Sequence, residues 1–135
     1  MITAVDTSVL LDVFGADRRF GEASREALRR CLAEGSLIAC EVVWAEVAAA
    51  FPSPDAAAAS MSALRVRFSA IDADIALSAG RAWSAYREAG GRRQRVIADF
   101  MIGAHALGTA ERLLTRDRGF YRRYFDALPV LDPTA

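Results

Sequence analysis

The chain has 135 residues, of which 53% are hydrophobic and 25% charged, with no repeat or low-complexity tract; this excludes disordered and fibrous classes and is enough for one core. A formal net charge of zero excludes the global electrostatic grip of a strongly basic nucleic-acid binder and leaves only local charge to act. All 17 basic residues are arginine, so mechanisms that require a lysine are excluded too.

Met1-Ile2-Thr3-Ala4-Val5-Asp6 lacks the basic and apolar regions of a secretory signal, and no apolar run approaches the roughly 20 residues of a spanning helix. A soluble, cytoplasmic protein without membrane contact is expected. Ile2 to Val5 reads as a short buried strand, and Thr7 to Phe14 as a helix that Asp6 or Thr7 can cap. From Phe20 to Glu34, Phe20, Ala23, Ala27, Leu28, Cys31 and Leu32 share one helical face, opposite Glu22, Arg25, Glu26, Arg29 and Arg30. Gly35 ends this amphipathic helix. Ser36 to Cys40 is a second strand, and Glu41 to Phe51 a helix stopped by Pro52. Cys31 and Cys40 have no partners at zinc spacing, so buried, reduced thiols are expected, with a disulfide as the minor alternative.

After Pro52-Ser53-Pro54-Asp55 an alanine-rich helix runs to about Val66, and Phe68 to Ile71 is the third strand. Ile75, Ala79, Ala82, Trp83 and Tyr86 follow helical spacing up to Gly90-Gly91. The basic stretch Arg92-Arg93-Gln94-Arg95 fits a loop or helix entry. Val96 to Leu107 is apolar almost all round, as in a helix packed on a sheet, with Gly108 as its terminator. Arg112 to Thr115 is a fourth strand, Arg118 to Phe125 an aromatic-rich helix and Val130-Leu131 a last edge strand. This alternation predicts an α/β fold with a mainly parallel sheet of four to five short strands, flanked by helices on both faces.

Four carboxylates interrupt apolar surroundings. Asp6 ends the first strand, Glu46 stands between Val42-Val43-Trp44-Ala45 and Val47-Ala48, Asp99 opens the apolar helix, and Asp117 follows Leu113-Leu114-Thr115. All four are expected to be partly buried, which costs several kcal/mol per desolvated charge unless a partner or metal compensates it. In a parallel sheet with right-handed crossovers their positions face one edge, the carboxyl edge where open α/β sheets bind ligands. Oxygen ligands without His or Cys favour Mg²⁺ or Mn²⁺, which pair naturally with a substrate phosphate.

The segments Val5-Asp6-Thr7-Ser8-Val9-Leu10-Leu11-Asp12, Trp44-Ala45-Glu46-Val47, Arg95-Val96-Ile97-Ala98-Asp99-Phe100-Met101-Ile102-Gly103-Ala104-His105-Ala106 and Leu114-Thr115-Arg116-Asp117-Arg118-Gly119-Phe120 together resemble the PIN domain, specifically VapC-type toxins. The resemblance covers essentially the whole chain. It implies a single PIN domain over residues 1–135 with a three-layer sandwich fold, acting as a metal-dependent endoribonuclease and the toxin of a VapBC-type pair. Asp6, Glu46, Asp99 and Asp117 would be the catalytic, metal-holding quartet, with Thr115 and Ser8 as hydroxyl supports. It also implies Mg²⁺ or Mn²⁺ as cofactor, an RNA substrate, a homodimer and a VapB-type antitoxin that blocks the groove. The ions would activate a water in line with an RNA phosphate and stabilise the leaving 3′ oxygen, and Arg92, Arg93 and Arg95 would contact RNA phosphates.

Plainer readings stand beside these. Asp6 and Asp117 can be helix N-caps, Asp99 a first-turn charge and Glu46 an arginine's salt-bridge partner. Glu41 competes with Glu46, and the resemblance selects Glu46; Asp12, Asp72 and Asp74 are left out of the site. His105 lies off the Asp99 face and is expected to be packed and hydrogen-bonded. Trp44, Trp83, Phe120, Tyr121 and Tyr124 read as core or interface residues before base-stacking ones. A receiver-like phosphoacceptor needs a lysine, a haloacid-dehalogenase-type phosphatase needs a second Asp where Ser8 stands, and P-loop and dinucleotide glycine patterns are missing. The remaining rivals are a PIN nuclease of RNA processing and a non-catalytic PIN-like module that binds metal or RNA.

Overall fold

The computed structural model describes residues 1–91 and 95–135. In chain order its elements are β1 (Ile2–Val5), α1 (Thr7–Phe14), α2 (Gly21–Glu34), β2 (Ser36–Ala39), α3 (Glu41–Ala48) and α4 (Pro54–Ala63). They continue with β3 (Val66–Phe68), α5 (Ala73–Glu88), α6 (Ile97–Thr109), β4 (Arg112–Leu114), α7 (Arg118–Tyr124) and β5 (Val130–Leu131). The strands form one sheet in the order β3-β2-β1-β4-β5, and every pairing is parallel, so the sheet is more uniform than the mainly parallel one expected.

β1 lies at the centre because its residues suit burial on both faces: Thr3, Ala4 and Val5 are all buried. The chain leaves β1 toward β2 and β3, then crosses back to β4 and β5 on the other side. Right-handed crossovers in opposite directions put the helices of the two halves on opposite faces. The reversal makes the carboxyl ends of β1 and β4 a topological switch point. The ladder continues past the strand ends there, since the Asp6 N–H donates to the Leu114 carbonyl at 2.9 Å and the Thr115 N–H to the Leu131 carbonyl at 3.0 Å. Both residues are held by backbone.

Several expected boundaries shift. The third strand is Val66–Phe68, not Phe68 to Ile71, and α4 stops at Ala63. The cause is Arg65, whose φ of 58° is left-handed and ends the helix as a glycine would. α3 ends at Ala48, short of Phe51, because Ala50 and Phe51 turn back onto the carbonyls of Val47 and Ala48. Gly108 does not stop α6, which runs through it to Thr109. A Cβ there would lie 3.2 Å from Cγ1 of Ile75, so this glycine lets α5 and α6 approach closely. Cys31 and Cys40 are buried free thiols.

Candidate active site

Asp6 is only 8% exposed and is built into the fold twice. Its Oδ1 accepts the Thr7 N–H at 2.8 Å, capping α1, and its Oδ2 accepts the Thr115 hydroxyl at 2.7 Å. Burial pushes this carboxyl up to about 6, from an ordinary 3.8, and the nearby charges of Asp99 and Asp117 add to the rise. The hydrogen bonds from Thr115 and Thr7 oppose it. Thr115 in turn accepts the Asp117 N–H at 3.0 Å, so one buried hydroxyl ties two of the four acids together.

Asp99 lies in the first turn of α6, and its Oδ2 accepts the Val96 N–H at 3.3 Å. Asp117 precedes α7 but makes no side-chain cap; instead the Arg95 guanidinium grips it, Nη1 on Oδ2 and Nη2 on Oδ1, the latter at 3.1 Å. Arg95 also stacks over the Phe120 ring, 4.3 Å from guanidinium carbon to centroid. The Tyr121 side chain is buried beside the same acids. Burial raises its phenol well above the ordinary value, and Asp6, Asp99 and Asp117 push it further.

Glu46 differs from the expectation. It is exposed rather than partly buried, because Val43 and Val47 take the inward positions of α3 and turn Glu46 outward. It still faces the site, since the Thr7 hydroxyl donates to its Oε1 at 2.7 Å. Ser8 hydrogen-bonds none of the acids: its Oγ is buried without a hydrogen-bond partner among the described residues. Asp99 and Asp117 are thus close enough to Asp6 for their charges to act on it. Even so, among the described residues no three acidic, His or Cys side chains stand at ligand spacing. Arg95 is described, whereas Arg92 and Arg93 lie outside the described residues.

The residues left out of the site have other work. Asp72 caps α5 through the Ile75 N–H at 2.8 Å, and Glu41 accepts the Ile71 N–H at 2.9 Å. His105 is buried, with Nε2 2.9 Å from the Ser69 hydroxyl, and burial pushes its pKa down. The Thr7–Glu46 and Arg95–Asp117 pairings are the contacts that sequence reasoning missed, Arg95 having been expected on an RNA phosphate. Their partners are remote in the chain, and no local pattern marks them.

Arg116, between Thr115 and Asp117, points away from the site and pairs with Asp12 through Nε at 2.7 Å and Nη2 at 3.0 Å. Ser24 adds a 2.8 Å hydrogen bond to Asp12, and Phe20 lies 4.0 Å beneath the guanidinium. Asp12 is thereby a buried brace for the β4–α7 turn. Asp12→Ala is expected to cost about 2–4 kcal/mol, because it strands a half-buried guanidinium; a urea-denaturation midpoint within experimental error of wild type would refute this.

The fold and these contacts define a class: an open, doubly wound α/β protein with an acidic site at its switch point. More narrowly, the PIN domain profile matches residues 3–126, and the chain belongs to that family. No curated protein matches it by sequence. Among solved structures it is similar to VapBC-1 from nontypeable Haemophilus influenzae, with TM-score 0.76 and 19% identity over 100% of both chains. It is also similar to VapBC2 from Rickettsia felis bound to a promoter DNA fragment, with TM-score 0.73 and 16% identity over 98% of each chain. A third is VapC20 from Mycobacterium tuberculosis, a sarcin–ricin loop-cleaving toxin, with TM-score 0.58 and 18% identity over 82% of this chain and 86% of that one. At these identities the likeness is one of fold.

Proposed function

We propose that residues 1–135 form a single PIN domain that acts as a metal-dependent endoribonuclease, the toxin of a VapBC-type toxin–antitoxin pair in the cytoplasm. The observation that carries this reading is the meeting of Asp6, Asp99 and Asp117 at the β1–β4 switch point, with Thr115 bridging Asp6 and the Asp117 backbone. The fold neighbours, two from VapBC complexes and a third a sarcin–ricin loop-cleaving VapC, support it. A homodimer and a VapB-type antitoxin partner belong to the same proposal.

The donor set fits a hard divalent cation. It is all oxygen, and it leaves the buried Asp6 carboxyl short of compensation. Magnesium keeps several waters and takes one or two carboxylates directly, so it does not need a preformed cage of three. Asp6, Asp99 and Asp117 would hold Mg²⁺ or Mn²⁺, with Glu46 at the rim and Thr115 and Ser8 in support. When bound, the ion supplies Lewis-acid stabilisation of the phosphate and a more acidic water. The chain's part is to fix the carboxylates: Thr115 and the Thr7 N–H orient Asp6, the Val96 N–H orients Asp99, and the Thr7 hydroxyl orients Glu46.

The test is cleavage of mixed cellular RNA by antitoxin-free protein with Mg²⁺ or Mn²⁺, compared with EDTA and with Asp99→Asn. Loss on the order of 100-fold or more is expected in both controls, with new 5′ ends reporting the target. The Arg95 grip on Asp117 favours one second reading, a non-catalytic RNA-binding module. Activity that is equal in wild type and Asp99→Asn, or absent from folded protein across many RNAs, would support that module and overturn the nuclease.

A further inference from the structure

We propose that Arg95 is the resident counter-cation of the acidic edge and competes with a divalent cation for the Asp117 carboxylate. This inference rests on the metal-site reading above and adds to it a residue that governs occupancy. Both Asp117 oxygens are taken by the two terminal nitrogens of one guanidinium, a fork-on-fork pair with charge-assisted hydrogen bonds. Asp117 leaves its own helix uncapped, so its carboxylate is committed to Arg95. The Phe120 ring beneath the guanidinium fixes its plane. The Asp99 charge also acts on Arg95, so the arginine sits within the field of the acids rather than on a remote surface.

An arginine is charged at every accessible pH. The exchange is therefore cation for cation, and proton release plays no part. With the fork in place each Asp117 oxygen already accepts one charge-assisted hydrogen bond, and a unit positive charge a few ångströms away repels a second one. The side chain can nevertheless leave. It is 30% exposed and Asp117 39% exposed, Arg95 lies just ahead of α6 rather than within it, and a cleft of about 620 Å³ lined by Arg95, Gly91, Phe120, Arg123 and Tyr124 opens alongside. Withdrawal into that cleft would free Asp117.

The alternative is that Arg95 only steadies Asp117, in which case its removal weakens cation binding. The two ideas predict opposite signs. Mn²⁺ dissociation constants of the full chain, read by electron paramagnetic resonance of free Mn²⁺, decide between them. Arg95→Gln is expected to bind Mn²⁺ roughly tenfold tighter than wild type, and Arg95→Lys, which keeps the charge but loses the fork, to fall between. In an Asp117→Asn background the Arg95→Gln gain is expected to shrink to the part due to charge repulsion alone. Unchanged or weaker binding in Arg95→Gln, with a wild-type circular dichroism spectrum, overturns the proposal while leaving the metal site standing. Absence of saturable Mn²⁺ binding in both wild type and Arg95→Gln overturns the metal-site reading itself, and the competition with it.

Discussion

Phe100→Ala is expected to lose about 3–5 kcal/mol of folding stability, a large part of the 5–15 kcal/mol typical of a whole domain. Phe100 is fully buried and stands at the centre of an aromatic cluster. Its ring lies 5.2 Å from Phe120, 5.4 Å from Tyr86, 6.1 Å from Tyr124 and 6.2 Å from Phe125. Truncation removes both the buried area and these ring contacts, edge-on to Phe120 and Tyr124 and tilted to Tyr86 and Phe125, which are worth about 0.5–1.5 kcal/mol each beyond area. The cavity cannot collapse easily, because its walls come from α5, α6 and α7 and the turn after α7. Gly103 already brings Phe125 against the α6 backbone, where a Cβ would be 2.5 Å from the ring. Phe100 also follows Asp99 and packs on the helix that Asp117 precedes, so the same change loosens the acidic edge. Equilibrium urea unfolding measures the loss, and a cost below about 1.5 kcal/mol would mean that the cluster is not the anchor described.

Much of the architecture is written in local pattern. β1, α1, β2 and β5 are legible because short apolar runs end at residues with a clear local preference, such as Asp6 before α1. α6 is legible because a helix apolar almost all round has nowhere to go but onto a sheet. β3 is not. Arg65 takes a left-handed φ without being a glycine, and Arg67, exposed in the middle of the strand, breaks the apolar-run signal. Gly108 reads as a stop, yet its role is close packing against Ile75.

The site divides in the same way. A carboxylate in apolar company can be seen in a string of letters, so Asp6, Asp99 and Asp117 stand out. What holds each one cannot, because Thr7–Glu46, Arg95–Asp117 and Asp12–Arg116 are tertiary contacts between distant segments. Glu46 was legible as an oddity but not in its exposure, which follows from the inward pair Val43 and Val47 on the same helix.

Asp6→Asn is expected to separate stability from activity, making the metal-free protein more stable while reducing RNA cleavage on the order of 100-fold or more. Burial holds the folded carboxyl at about 6, above its ordinary 3.8, so ionising Asp6 opposes folding. Below about pH 4 the group is protonated in both states and costs nothing. As pH rises through about 6 the folded state must carry a desolvated charge, and stability on the order of 2–3 kcal/mol is lost. Asparagine avoids that loss, accepts the Thr7 N–H through its carbonyl, and can donate to the Thr115 oxygen through its amide. The gain over wild type is therefore expected to be small at pH 4, to grow between pH 4 and 6, and to stay constant above pH 7. Added Mn²⁺ should narrow it, because the wild type then gains binding free energy that the variant lacks. Thermal unfolding of both proteins from pH 4 to 8, with and without Mn²⁺, reads all of this. A variant less stable than wild type at pH 7.5 would mean that Thr115 and Thr7 already compensate the Asp6 charge, and that the acidic edge has no need of a cation at Asp6.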